Sequence, residues 1–197
     1  MEDVILVDLS DKEIGTMDKM MAHKKPVLHR AFSVFLINGN KILIQKRARS
    51  KYHSGGLWAN ACCSHPRANR VFLDSIYDRL KFELGIDEKI DLKELFSFSY
   101  LSKYSSELYE YELDHVLIGK TTEDYFNFNK DEIEELKYVD IDWLKQDLVL
   151  NPTSYATWFL ICAPKVIDYL KNKQNSWFFL LKISFIRVLL LIIKTVF

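Results

Sequence analysis

The sequence predicts an α/β protein, and three observations carry the prediction. Two apolar runs flank an Asn-Gly dipeptide in the manner of a hairpin, a later segment spaces its apolar residues like a helix face and closes on a glycine, and two aromatic-rich segments after it have the composition of strands. At 197 residues the chain suits one domain with a full core. We read residues 1–174 as that domain and 175–197 as a tail. Basic and acidic residues balance at 27 each, so no global field draws the protein to nucleic acid, and any phosphate binding must be local. Three cysteines, two of them adjacent, form no disulfide framework and suit a reducing cytoplasm. The acidic start, Met1-Glu2-Asp3-Val4, lacks the basic flank and apolar core of a signal peptide.

In chain order, Val4 to Val7 reads as a first strand, and the polar Asp8 to Gly15 as a turn. Met17 to His23 leads through Lys24, Lys25 and Pro26 into the run from His29 to Ile37. That run and Lys41 to Lys46 are the arms of the hairpin, with Asn38-Gly39 able to supply two positive φ angles. A basic loop follows, with Lys46, Arg47, Arg49 and Lys51 before Gly55-Gly56. It is either a solvated turn or a contact for phosphate oxygens, since arginine offers a fork of donors and lysine a point charge. From Val71 to Leu84, apolar residues at Leu73, Ile76, Tyr77, Leu80 and Leu84 make one helix face, and Gly85 stands where a left-handed C-cap belongs. Glu83 then sits in the last helical turn, where the dipole disfavours a carboxylate unless a cation is near. Leu95 to Leu101 and Leu108 to Ile118 read as strands, Leu136 to Val139 as a short strand, Ile141 to Leu148 as one or two helical turns, and residues from about Ser154 to Leu170 as a helix carrying Trp158. The stretch 175–197 is apolar but holds Lys182 and Arg187, so it suits a cationic helix on a membrane surface or a partner better than a span.

Cys63 and His65 lie two apart, so in an extended segment they point to the same side, one able to act as a base and the other to hold a metal. Glu110 and Glu112 share a strand face about 7 Å apart. Facing inward, they need a cation. Together with His23 and His29 these residues make a set of three imidazoles and two carboxylates, suited to a six-coordinate divalent ion such as Mn2+, Mg2+, Fe2+ or Zn2+. His53 and His115 have no such spacing partner. They are expected to be a loop residue and a core-edge residue.

The chain resembles type I isopentenyl-diphosphate isomerases of the Nudix superfamily. The resemblance is carried, in the family's order from about residue 4 to 170, by Ala22-His23, by Leu28-His29-Arg30-Ala31-Phe32-Ser33, by the basic run from Gln45 to Lys51, by the stretch from Trp58 to Pro66 with its Cys-x-His-Pro, by Phe82-Glu83-Leu84-Gly85 and by Tyr109-Glu110-Tyr111-Glu112. It implies a Nudix sandwich with a mixed sheet between helices. It further implies that isopentenyl and dimethylallyl diphosphate are interconverted by adding a proton at one carbon and removing one from another. By the same resemblance, His23, His29, His65, Glu110 and Glu112 hold a Mn2+ or Zn2+ ion. Glu112 with Tyr100 as a helper is the candidate for the protonating side and Cys63 for the base, its thiol pKa lowered by electropositive surroundings, with the choice of which of the two moves which proton left open. Trp158 faces the carbocation, Arg47, Lys51, Lys19 and Arg79 contact the diphosphate, and Glu83 holds Mg2+ through substrate oxygens.

A Nudix diphosphate hydrolase is the rival, with a non-catalytic metal scaffold as the reading outside enzymes. The superfamily's signature helix carries Arg-Glu, then Glu-Glu, ahead of its closing glycine. Counting back from Gly85, that segment reads Asp78-Arg79-Leu80-Lys81-Phe82-Glu83, with Ser64 at its opening glycine and Arg70 at its isolated glutamate. One carboxylate survives of those a hydrolase uses to hold metal and activate water. Asn69-Arg70 replaces the Gly-Glu usual in this family, a change expected to alter the loop before the helix.

Overall fold

The computed structural model describes residues 3–124 and 126–173. Residues up to Ile161 form one compact unit, and a second begins at Cys162. The segment 175–197, with its expected membrane or partner helix, lies outside the described residues. No helix among the described residues is long and apolar enough to cross a membrane.

The first unit is built on strands β1 (Asp3–Val7), β2 (Glu13–Asp18), β3 (His29–Asn38), β4 (Lys41–Arg47), β5 (Trp58–Asn60), β6 (Cys62–Ser64), β7 (Leu92–Lys103), β8 (Tyr109–Lys120) and β9 (Ile133–Asp140). Helix α1 (Lys19–Lys24) follows β2, α2 (Phe72–Leu84) follows β6, and α3 (Ile141–Leu150) follows β9. A 3-10 turn, Pro152–Ser154, leads to α4, which covers residues 157–173 and is the last helix among the described residues. The mixed sheet centres on β3. One edge of β3 runs parallel to β8 from His29 to Ile37, while its other edge is shared in turn by β1, β6 and β4.

The β3–β4 hairpin forms as expected, one residue later than the Asn-Gly signal. Asn38 pairs with Lys41, so the loop is Gly39-Asn40, and of these Gly39 alone has a positive φ, +59°. That is the pattern of a II′ turn, which needs glycine only at its first central position. Beyond Leu36 and Leu43 the two arms part, β3 turning to β6 and β4 to β5, while β9 pairs along the other edge of β4 from Lys41 to Arg47. Asn60 sits in the fork, its side-chain amide donating to Val34 O at 3.3 Å and Cys62 O at 2.6 Å.

The main core lies between α2 and the face of β3 carrying Phe32, Val34 and Leu36. Ile76, Leu80 and Leu84 meet that face, and burying each of them contributes about 1.5–3 kcal/mol. Leu73, expected on the buried face, is half exposed, while Ser75 and Glu83 are buried. Gly85 ends the helix with φ +73°, its N–H reaching Leu80 O and Lys81 O, and a Cβ there would come within 2.7 Å of Asn127 O.

Candidate active site and metal centre

Strand register lays the floor of the site. Residues paired across neighbouring strands project from the same face of a sheet, so the pairings of Ser33 with Cys63, His29 with Glu112, Ala31 with Asp114 and Tyr100 with Glu112 put all of them on the side of β3 opposite α2. Glu110, two residues from Glu112, shares that side. The adjacent cysteines are separated by the same alternation: Cys62 packs in the core and Cys63 lines the cavity. All three cysteines are free.

Three segments bring imidazoles to one end of this floor. Asp18 caps α1, accepting from Met21 N at 3.0 Å, and one turn on, the His23 Nδ1 lies 2.6 Å from Lys19 O. His29 Nδ1 lies 2.8 Å from Val27 O. A carbonyl only accepts, so both Nδ1 atoms carry the proton and both Nε2 lone pairs are left to point inward, the arrangement that metal-bound histidines share. His65 Nε2 lies 3.2 Å from His29 Nε2 and 2.8 Å from Glu112 Oε1. His23, His29, His65 and Glu112 are buried and offer four donor atoms within 4.8 Å of one another. Bonds of about 2.1 Å to a divalent ion set neighbouring donors about 3 Å apart, so the donor set and its spacings fit such an ion. The Nδ1 of His65, the nitrogen turned away from this group, is buried with no partner among the described residues.

Glu110 belongs to the same cluster but faces other partners. Its Oε2 accepts from Tyr100 at 2.8 Å and Tyr104 at 2.7 Å, and its Oε1 lies 3.1 Å from His53 Nε2. The Tyr100 hydroxyl also reaches Glu112 Oε2 at 2.7 Å, so it bridges the two carboxylates. His53, expected to be a simple loop residue, is therefore buried in the site, because the basic loop folds back over it. His115 does lie at the edge of the core, pairing with Glu94 and Asp11.

The open cavity over the floor meets Cys63, Glu110, Glu112 and Trp158 as well as Lys19, Arg47, Lys51 and Arg79. Trp158 donates from Nε1 to Asn60 Oδ1 at 3.0 Å, which fixes its ring, and the Arg47 guanidinium lies 5.2 Å from the ring centre. Arg47 is buried, its Nη1 lies 3.6 Å from Cys63 Sγ, and its Nε has no partner among the described residues. Lys51 bonds Glu132 at 2.5 Å, and Arg79 lies 2.6 Å from Glu83 and 3.4 Å from Glu132. The cationic end of the cavity thus has two carboxylates among its cations.

The NUDIX domain family matches residues 27–159. Two isopentenyl-diphosphate Delta-isomerases of Aromatoleum aromaticum are 46% identical over 169 residues (85% of this chain, 94% of theirs) and 44% identical over 170 residues (85% and 88%). The chain belongs to the isopentenyl-diphosphate Delta-isomerase family of NUDIX-domain proteins. A solved Deinococcus radiodurans structure has the same fold, with a TM-score of 0.69 at 16% identity, covering 83% of this chain and 98% of that one.

In the loop before α2, at the Asn69-Arg70 pair, the backbone enters the left-handed region. Asn69 has φ +63°, and asparagine is the residue that tolerates the left-handed region best after glycine. Arg70 pairs with Asp78 at 2.7 Å on the outer side of α2. Of the signature helix only Glu83 turns inward as a carboxylate, and Arg79 is the cation that removes its penalty at the helix end.

The electrostatics correct one expectation. Burial pushes the Cys63 thiol up to about 12, and the nearby Arg47 guanidinium offsets this only in part, so the predicted lowering is not found. Burial works against Glu112 as an anion as well, but the His29 and His65 imidazoles beside it outweigh burial and hold its carboxyl well below the usual range. Burial carries His65 down to about 3. Asp114, whose Oδ2 accepts from Ser33 at 2.8 Å, is raised by burial and by the charge of Glu112.

Sequence reasoning missed His53, Tyr104, Asp114 and Glu132. Asp114 had a signal, the continued alternation beyond Glu110 and Glu112. Glu132 and His53 had none, because they reach the site from loops.

Proposed function

We propose that this chain interconverts isopentenyl diphosphate and dimethylallyl diphosphate. One observation carries the reading: a thiol and a carboxylate held by imidazoles line a single cavity with a cationic end. The family membership supports it. Isomerisation needs one acid and one base, and Cys63 as S–H with Glu112 as carboxylate hold one proton between them. With that proton on Glu112, beside the Tyr100 hydroxyl, the acid protonates the terminal methylene. The π pair forms the new C–H bond and leaves a tertiary cation. The Cys63 thiolate beside Arg47 then takes a proton from the carbon nearer the diphosphate, and the freed C–H pair becomes the new double bond. The reverse direction exchanges the two roles. Trp158 offers the cation an indole face with no lone pair to trap it, and Ala31 adds apolar surface to the cavity floor.

Arg47, Lys51, Arg79 and Lys19 are the proposed diphosphate contacts. The imidazole-rich group suits Mn2+ or Zn2+, and Glu83 with diphosphate oxygens suits Mg2+. A divalent ion among the imidazoles would supply the positive charge that keeps Glu112 in position. Hydrolysis is disfavoured because α2 turns a single carboxylate inward, and a metal scaffold alone does not explain the unpartnered Arg47 Nε beside the thiol. We read the address as cytoplasmic from the free thiols, and the segment 175–197, from its sequence, as a surface that docks on a membrane or a partner. Proton NMR of the purified protein with isopentenyl diphosphate and Mg2+ plus Mn2+ tests the reaction. Growth of the dimethylallyl methyl signals is expected, and release of inorganic phosphate or pyrophosphate without them would overturn it.

A further inference from the structure

Given the roles proposed for Cys63 and Trp158, we propose that Asn60 is a positioning residue for the reaction: it ties the indole of Trp158 to the backbone that carries the Cys63 thiol, and so sets where the ring stands relative to the base. Asn60 ends β5, is fully buried, and has its amide committed to three partners. The indole N–H can only donate and the two backbone carbonyls can only accept, which leaves the amide a single orientation. Its Oδ1 faces Trp158 Nε1 at 3.0 Å, and its nitrogen donates to Val34 O at 3.3 Å and Cys62 O at 2.6 Å. Val34 and Cys62 are paired across β3 and β6, and the Cys62 carbonyl belongs to the peptide unit that enters Cys63. One planar group therefore joins the backbone beside the thiol to the ring that lines the cavity.

The contacts close a circuit around the thiol. Cys63 Sγ lies 3.6 Å from Arg47 Nη1, the Arg47 guanidinium lies 5.2 Å from the Trp158 ring centre, the indole donates to Asn60, and Asn60 donates to the Cys62 carbonyl. Strand β5 also holds the chain just before Trp158, because Trp58 bridges Tyr155 and its carbonyl accepts from Ala156 N at 2.9 Å. That backbone contact places the start of α4 but not the rotation of the indole, since the second side-chain torsion of tryptophan has no sharp preference of its own. The bond to Asn60 selects the rotation. A ring that is to face a developing cation must be turned toward it, and a displacement of about 1 Å at a reacting centre can cost about a hundredfold in rate. An amide that only satisfies two carbonyls at the fork is the competing account, and it gives the Trp158 N–H no part in turnover.

Replacing the indole N–H alone separates the two accounts. Trp158→3-benzothienylalanine keeps a bicyclic aromatic face, puts sulfur where the N–H stood, and leaves Asn60 and the fork untouched. In the full chain with isopentenyl diphosphate and Mg2+ plus Mn2+, kcat is expected to fall about tenfold while KM changes by less than about threefold. Asn60→Leu, close in shape but without polar atoms, is expected to lower kcat by at least about tenfold. The protein carrying both changes is expected to lie within about threefold of the slower single variant, because both break the same bond. Circular dichroism melting checks that each variant is folded, and if Asn60→Leu is not, the analogue at Trp158 decides alone. A kcat within about twofold of the unsubstituted protein in the analogue, or losses that multiply in the double variant, would overturn the proposal. The unsubstituted protein, measured alongside, keeps the two readings apart: without dimethylallyl signals from it both fall, and with them a normal rate in the analogue overturns the role of Asn60 alone.

Discussion

The two ends of the cavity satisfy their charges in different ways. At the imidazole end, His29 and Glu112 are paired across neighbouring strands, His65 follows β6 directly, and both His23 and His29 are braced on backbone carbonyls. At the cationic end, Lys51 from a loop, Arg79 from α2 and Glu132 from the turn before β9 hold one another side chain to side chain. Strands and carbonyls do not rearrange when a ligand arrives, whereas side-chain ion pairs can exchange partners. The rigid end is suited to chemistry that tolerates little displacement, and the adaptable end to admitting and releasing a charged group.

That contrast is broken most directly at the rigid end. Glu112→Gln and Cys63→Ala, made separately, are each expected to lower kcat by about 10²–10⁴-fold, the range a positioned acid or base supplies, with KM changed little. Steady-state kinetics on isopentenyl diphosphate measures this, and isomerisation retained in both variants would remove their assigned roles. Chelation comes next in size. Removing the divalent ion is expected to abolish turnover and to lower stability by about 2.7 kcal/mol relative to protein with free ion at a hundred times its Kd, read as a fall in Tm that restored metal reverses.

Legibility followed the same divide. Glu110 and Glu112 could be placed on one face because a strand has a period of two, and Cys63 could be parted from Cys62 for the same reason. Gly85 marked the end of α2 because a left-handed residue is needed there. His23 and His29 were joined to His65 by residue type, since spacing alone could not link them, and the family resemblance then implied the same set. His53 was set aside because loop geometry, not periodicity, returns it to Glu110, and Glu132 went unseen because its partners Lys51 and Arg79 are remote in sequence. The hairpin turn was displaced by one residue because Asn38 still pairs in the ladder. The thiol's raised pKa was missed because the sequence shows the charge of Arg47 but not the burial that outweighs it.

At the adaptable end the effects are smaller and fall on binding. Arg47→Lys keeps the charge but loses the planar fork of donors, so KM for the diphosphate is expected to rise about tenfold. A fall in kcat of the size predicted for Cys63→Ala would instead place Arg47 with the chemistry, as the group that stabilises the thiolate.

Glu132 gives the finest test, because its effect is set by pH. Burial opposes its charge, but the Lys51 hydrogen bond and the Arg79, Lys51 and Arg47 charges prevail and lower its pKa. A carboxylate depressed in the folded state stabilises the fold above its unfolded pKa, about 4.3, and that contribution is lost as pH falls through the folded value. Glu132→Gln is therefore expected to be less stable at pH 7 by about 1 kcal/mol, a figure reduced for solvent screening, and to converge with the unsubstituted protein only as pH falls below the depressed folded pKa. Urea midpoints from pH 3 to pH 7 measure the difference. Pyrophosphate should shrink it at pH 7 as well, since Lys51 and Arg79 would then have phosphate oxygens in place of the missing carboxylate. A difference that is the same at every pH and indifferent to pyrophosphate would show that the cationic end is as fixed as the imidazole end.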